Sequence, residues 1–417
     1  MNFVLFRSQK PEASSRGHEK PRFMLMLLPA FLALVTACES PRKTTASLYP
    51  ELILSRQERL QDIALKEGLI RELLNREGLS AVLLTSPDDV SWATSGAESC
   101  IPVFILSNGR KFFFARPGVS SGGVLEDLVD MGFEAKAEAR KDDSSGPDPE
   151  TLAVITGGQP FGADASCRGG KIPGLDISPL QVPLTGCEVR EYQWLGRIAA
   201  EQVEDVCRRL EPGMTDCGVE ALLSDALLRH AIHVAAFDVG LDARVPGGDG
   251  NPRTDVSKLE RHAIVGVCAE RWGLRVELTR LVHFGPLTKE SRKQLDAAAR
   301  INAGFWARTL PGASFESILR GASADYADES QAGEWLRRAL GGPIGYKRKD
   351  WTTFSGTQTI NTPAAFAWKV TVGDFRIEDT VLLAGDRIEV LTETSNWPRL
   401  ESKALGRIYR SPGVLER

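Results

Sequence analysis

At 417 residues the chain is long enough for two hydrophobic cores, and 42% apolar with 25% charged residues is the composition of a folded globular protein. A formal net charge of -4 gives no reason to expect nucleic-acid binding, which wants a basic face.

The N-terminus differs from the rest. Arg7, Lys10, Arg16, Lys20 and Arg22 precede the apolar run Met24–Ala37, MLMLLPAFLALVTA, and this basic, apolar, small-residue order predicts a secretory signal over 1–37. The run is short for a membrane span. Its exit, Leu34-Val35-Thr36-Ala37-Cys38, resembles a bacterial lipobox, which is cleaved before a cysteine that then carries lipid; a plain signal peptide ending at Ala37 is the alternative. The expectation is an exported protein anchored to the cell envelope through Cys38. Glu39 favours the outer over the inner membrane, and residues 38–50 form a tether. Cys100, Cys167, Cys187, Cys207, Cys217 and Cys268 remain. Cys167 and Cys187 flank a Gly/Pro-rich loop and are candidates for a bridge, whereas Cys207, Cys217 and Cys268 sit in apolar patterns expected to bury them.

Gln57–Gly78 has helical spacing, Ala81–Thr85 reads as a buried strand, and Cys100–Leu106 with Lys111–Ala115 flank the hairpin signal Asn108-Gly109. Gly122–Met131 reads as helix. Phe133–Ala139, Val154–Thr156 and Phe161–Ala163 read as strands. This alternation predicts an α/β domain over 51–185, closed by a Gly/Pro-rich crossing at Gly169–Gly186. A second domain, 186–417, opens on a helix lined by Leu195, Ile198, Val203, Val206 and Leu210, stopped at Pro212-Gly213, with Thr215 capping the next. RLEPGMTDCGVEALLSDAL from Arg209 is echoed by RTLPGASFESILRGASADY from Arg308. Each block leads to paired strands, Ala263–Phe284 and Ala365–Leu383, which predicts a pseudo-twofold domain with a curved antiparallel sheet and a cavity between the hairpins.

The first of those hairpins carries Glu277-Leu278-Thr279-Arg280 and resembles the central hairpin of the "pita-bread" family of methionine aminopeptidase, aminopeptidase P, prolidase and creatinase. The stretch AVLLTSPDDVSWATSG between a helix and a hairpin is similar to the N-terminal domain of prolidase and creatinase. The resemblance implies an α/β chain with a pita-bread C-terminal domain. In active relatives it also implies two divalent metal ions (Mn, Co or Zn) held by two aspartates, a histidine and two glutamates. Those places fall on Gly266, Glu277, Gly342 (in an expected Gly-rich turn, 341–345), Lys369 and Glu378, so only Glu378 is a direct match. Two glycines cannot coordinate, and an ammonium opposes a cation pair, so no metal cofactor is expected. Glu277 and Glu378 are instead expected in an ion-pair cluster with Arg280, Arg376 and Lys369.

Creatinase works without metal, using a histidine before an Asn-Pro-x-Thr stretch. Here Asn251-Pro252-Arg253-Thr254 follows Gly250, leaving His262 and His283 as the candidate catalytic residues. His230 and His233 are read at the end of a helix. The resemblance therefore implies a peptidase-family lipoprotein that binds a peptide or small ligand without turnover, with Trp272, Trp351 and Trp368 lining its cavity. An active Xaa-Pro aminopeptidase or dipeptidase with a rebuilt site, a metal-free amidohydrolase and a structural envelope protein are the alternatives. A homodimer is compatible with all of them.

Overall fold

The computed structural model describes residues 54–97, 101–115, 123–137, 147–164, 172–242, 257–332, 340–347 and 358–417. The signal run, Cys38, the tether, Cys100, Cys167, the Gly250–Thr254 stretch and Trp351 lie outside these residues. Among the described residues no helix is long and apolar enough to cross a membrane.

The first layer runs α1 (Arg56–Glu77), β1 (Ala81–Leu84), α2 (Pro87–Ala93), β2 (Val103–Leu106), β3 (Lys111–Ala115), α3 (Val124–Asp130), β4 (Glu134–Ala137), α4 (Pro149–Ile155) and β5 (Phe161–Ala163). A capping box between Ser55 and Glu58 starts α1, satisfying amides that have no partner inside the helix. The sheet order is β4-β3-β2-β1-β5, with β5 parallel to β1 and the Asn108-Gly109 turn joining β2 to β3. Val154–Thr156 is not a strand. Asp148-Pro149 starts a short helix that buries Leu152 and leaves Val154 81% exposed, and three apolar residues in a row carry no period that separates helix from strand.

After a 3-10 turn at Ser178–Gln181, the second region begins with α5 (Gly186–Arg209), opened by a capping box of Thr185 and Glu188. Then come α6 (Asp216–Leu228), β6 (His233–Leu241), β7 (His262–Arg271), β8 (Leu274–His283), α7 (Lys289–Arg308), α8 (Phe315–Asp328), β9 (Gly341–Ile344), β10 (Ala364–Val372) and β11 (Phe375–Ala384). The chain ends with β12 (Arg387–Val390), β13 (Arg399–Ala404), β14 (Arg407–Pro412) and β15 (Val414–Glu416). Two four-stranded sheets result, β15-β8-β7-β6 and β12-β11-β10-β9, and β13 pairs with β14 in a two-stranded one. α5 packs behind β7 and β8, and α7 behind β10 and β11, each burying an apolar stripe.

The internal repeat extends to individual hydrogen bonds. Thr215 caps α6 and bridges to Lys258; Ser314 caps α8 and bridges to Thr359. The amide of Gly213 donates to the carbonyl of Leu259, and that of Gly312 to Ile360. Each half spells Glu-x-Thr on its hairpin, Glu277/Thr279 and Glu378/Thr380, and the halves meet along β8 and β11 through these residues. The Thr380 hydroxyl accepts from the Glu277 amide at 2.7 Å and donates to the Glu277 carbonyl at 2.8 Å. Thr279 Oγ1 donates to Glu378 Oε2 at 2.8 Å.

Three further readings change. The Gly341–Gly345 stretch is not a turn: Gly341–Ile344 form β9, paired antiparallel with β10. His230 and His233 do not share a helix, because α6 ends at Leu228 and His233 opens β6. Cys217 is exposed near the start of α6, while Cys207 and Cys268 are buried; Cys187 is a free thiol that accepts from Arg190 Nη2 at 3.6 Å.

Candidate functional site

β7 and β8 are buried along most of their length and are joined by a two-residue turn, Trp272-Gly273, in which both residues have positive φ. That conformation matches the right-handed twist of the flanking strands. Glycine is needed at 273 for a second reason: a Cβ there would lie 2.5 Å from Ser91 Cβ, at the point where α2 seats on the hairpin tip. Arg275, next to the turn, pairs with Asp88 of α2 at 3.0 Å and with Glu270 at 2.6 Å. The tip therefore fixes the first layer against the sheet that carries the site.

The register brings the family positions together on one face. Gly266 of β7 stands opposite Thr279 of β8 and Asp238 of β6, and Lys369 of β10 stands opposite Glu378 of β11. Lys369 Nζ lies 3.0 Å from Asp238 Oδ2 and 3.3 Å from Glu378 Oε1. Arg376 Nη1 also donates to Asp238 Oδ2. Burial alone would raise the Glu378 carboxyl, but Lys369, Arg376 and the bonds from Glu277 and Thr279 outweigh it and hold the group below the usual range. Burial alone would likewise strip the proton from Lys369, yet Glu378 and Asp238 hold it above the ordinary lysine value. A protonated lysine has no lone pair, so Lys369 is not poised as a nucleophile.

Arg280 does not join this cluster. It lies an odd number of residues from Glu277 along a strand, so its side chain emerges on the opposite face. There it is buried between Glu204 and Asp379, both at 2.9 Å, and donates to the Thr392 carbonyl. Trp368 also faces away from Lys369. It is fully buried, stacks on Phe305 and donates to Thr309 Oγ1, so it belongs to the core behind the sheet and does not line a cavity. Trp272 packs on Trp194 beneath the Arg271 guanidinium at the hairpin tip.

His262 and His283 form a cross-strand pair with ring centroids 6.0 Å apart. They sit four residues along the strands from Gly266 and Thr279, about 13 Å at an ordinary strand rise. His262 Nε2 bonds the Asp374 carbonyl at 3.2 Å and His283 Nδ1 the Gly285 carbonyl at 2.8 Å. The structure does not bring either ring to the carboxylate cluster. Asp238 is the site residue that sequence reasoning misses. It lies on β6, whose alternating pattern is broken by a bulge between Val234 and Ala236, and the helix-end reading of His230 and His233 hides the strand.

No protein-family model and no curated protein sequence matches the chain. Solved structures do. The dipeptidase PepE from Mycobacterium ulcerans superposes with a TM-score of 0.65 at 18% identity, over 80% of this chain and 96% of that one. An X-Pro aminopeptidase from Thermotoga maritima gives 0.63 at 15% identity, over 79% and 97%. The N-terminal domain of the FACT complex subunit SPT16 from chickpea (Cicer arietinum) gives 0.57 at 12% identity, over 81% and 96%. The chain has the mixed α/β pita-bread fold of these proteins.

Proposed function

We propose that this chain is a metal-free pita-bread protein that binds a peptide or small ligand without hydrolysing it, exported and held at the cell envelope through lipid on Cys38. The observation that carries the reading is Lys369, whose ammonium lies 3.0 Å from Asp238 and 3.3 Å from Glu378. A metal pair needs carboxylates free to coordinate. Here Lys369 and Arg376 already take those oxygens, and Gly266 offers no side chain to coordinate, while a Cβ there would press on Asp238 and Thr279 at 3.1 Å. Among the described residues no three His, Cys, Asp or Glu side chains are grouped to hold an ion. The donor set therefore does not fit two divalent cations, and no hydrolytic step is assigned to them.

The binding half of the proposal is supported by the fold. It is shared with proteins named as dipeptidases and an X-Pro aminopeptidase, and with a protein named as a subunit of a complex. Proline-containing peptides are accordingly the first ligands to try.

The test is metal content and turnover of Xaa-Pro dipeptides and tripeptides by the chain from Glu39 onward, followed by thermal shift with the same peptides, since a ligand of the native state raises its apparent stability. The expected result is no stoichiometric manganese, cobalt or zinc, no metal-dependent cleavage, and an upward shift with at least one peptide. Two bound ions with cleavage abolished by a chelator and by Glu378→Ala overturn the reading. Cleavage that survives the chelator and fails in His262→Ala or His283→Ala replaces it with a metal-free amidohydrolase. For the anchor, Cys38→Ala is expected to release the protein from the membrane fraction or leave it unprocessed.

A further inference from the structure

A second cluster of charged groups lies far from the carboxylate site in sequence and plays no part in it. Lys66 of α1 is completely buried, with Nζ 2.7 Å from Asp62 of the same helix and 2.8 Å from Glu188 of α5. Tyr346, just after β9, donates its hydroxyl to Glu188 at 2.9 Å, and Ser95, after α2, donates to Asp62. The ammonium also lies over the rings of Trp92 and Tyr346, at 5.9 and 5.7 Å. Four parts of the fold are therefore joined at one dry polar node: α1, the end of α2, the start of α5 and the segment after β9.

One helical turn beyond Glu188 sits Glu191, 2% exposed, whose Oε1 has no hydrogen-bond partner among the described residues. The charge count does not accommodate it as an anion. Lys66 already faces two carboxylates. The one other cation that acts on Glu191 is Arg59 on α1, which is only half-buried and donates to the Ser95 carbonyl; the Cys187 thiol and the Tyr346 phenol are in turn raised by Glu191. A third carboxylate without its own cation is costly in such a site, whereas a carboxylic acid is tolerated.

We infer that Glu191 is a proton-holding latch, keeping α1 seated on α5 and Tyr346 while it is protonated and releasing that contact when the proton is lost. The reading is independent of what the protein binds. Burial pushes the Glu191 carboxyl up to about 8, with Lys66 and Arg59 opposing the shift and Glu188 and Asp62 adding to it. Tyr346 stays protonated well above its ordinary value, chiefly through burial, so it remains a donor throughout this range. An opened state hydrates Glu191 and returns it to an ordinary carboxyl value near 4.3. Between that value and about 8 the closed state holds one proton more than the open state, so opening is favoured about tenfold per pH unit and then levels off.

The test is hydrogen exchange of the whole chain, read by mass spectrometry on peptides from α1 and the first turns of α5, from about pH 5 to about pH 9 and corrected for base-catalysed exchange. The expected result is that opening of these peptides rises with a slope of about one proton in wild type and is flat in Glu191→Gln, with β10 and β11 peptides unaffected. A slope that persists in Glu191→Gln, or a flat wild-type profile, overturns the latch. Should Glu191→Gln fail to fold, infrared titration of wild type decides. A protonated-carboxyl band that disappears near pH 8 is expected, and the absence of any carboxyl titrating in that region overturns the proposal.

Discussion

Lys369 and Glu378 stand directly opposite each other on β10 and β11, with Nζ and Oε1 3.3 Å apart and both side chains largely removed from water. Each half of the repeat supplies a glutamate and a threonine to this seam, so the arrangement is nearly self-symmetric. The symmetry is broken by Lys369 and Arg376, both from the second half, which reach across to Asp238 of the first. Two cations, Lys369 and Arg376, thus face the carboxylates of Asp238 and Glu378 without any added ion.

Removing Lys369 is expected to destabilise the fold strongly. Lys369→Met leaves Glu378 without its paired ammonium and Asp238 with Arg376 alone, and breaking a buried pair from one side typically costs about 3–5 kcal/mol. Replacing both Lys369 and Glu378 with methionine removes the orphaned charge and is expected to cost less than the single variant. Denaturant titration of the two variants checks the order; a neutral Lys369→Met shows that the ammonium is not what balances the site.

Much of this architecture is legible in the sequence because it rests on local signals. The Thr215 cap, the Pro-Gly stops, the Asn108-Gly109 turn and the apolar run of β7 each report on their own few residues. The positions of Glu277, Lys369 and Glu378 are readable for the same reason, since each lies on a strongly patterned hairpin. Asp238 is not, because its part in the site depends on the β6 to β7 register and on a bulge, which are set by pairing with a distant strand. Arg280 shows the opposite failure. It is three residues from Glu277 in sequence, and only the alternation of the strand sends it to the far face. Trp368 is displaced from the expected cavity by the same alternation.

Stability is expected to fall on acidification through His262. Burial is the main cause that holds this imidazole below its ordinary value, with His283 adding to it, while the bond to the Asp374 carbonyl and the charges of Asp374 and Asp242 oppose the shift. A depressed histidine binds its proton more readily in the unfolded chain. The stability it supports is therefore fully present above about pH 6.5, the ordinary value, and is lost as pH falls from there toward the depressed folded value. His262→Phe keeps a ring against Phe375, which lies 5.4 Å away, and removes the titration. Urea midpoints measured from about pH 7.5 down to about pH 5 are expected to decline less steeply in the variant; parallel curves show that His262 is not responsible.

Gly266 sets a steric constraint on the site. Its backbone needs no unusual conformation, so any penalty for a side chain there comes from space alone. A Cβ would sit 3.1 Å from Asp238 Cβ, from the Asp238 carbonyl oxygen and from Thr279 Oγ1. The carbonyl is backbone in a paired strand, and the threonine hydroxyl is committed to Glu378, so neither yields without disturbing the cluster. Gly266→Ala is expected to destabilise by about 1–3 kcal/mol, the usual range for overpacking a filled core. Gly266→Asp is expected to cost more, because it sets a second carboxylate beside Asp238 in a buried strand. Denaturant midpoints for the two variants test the order. If Gly266→Asp is as stable as wild type, Asp238 can be displaced freely and the packing that closes this position to a metal ligand does not hold.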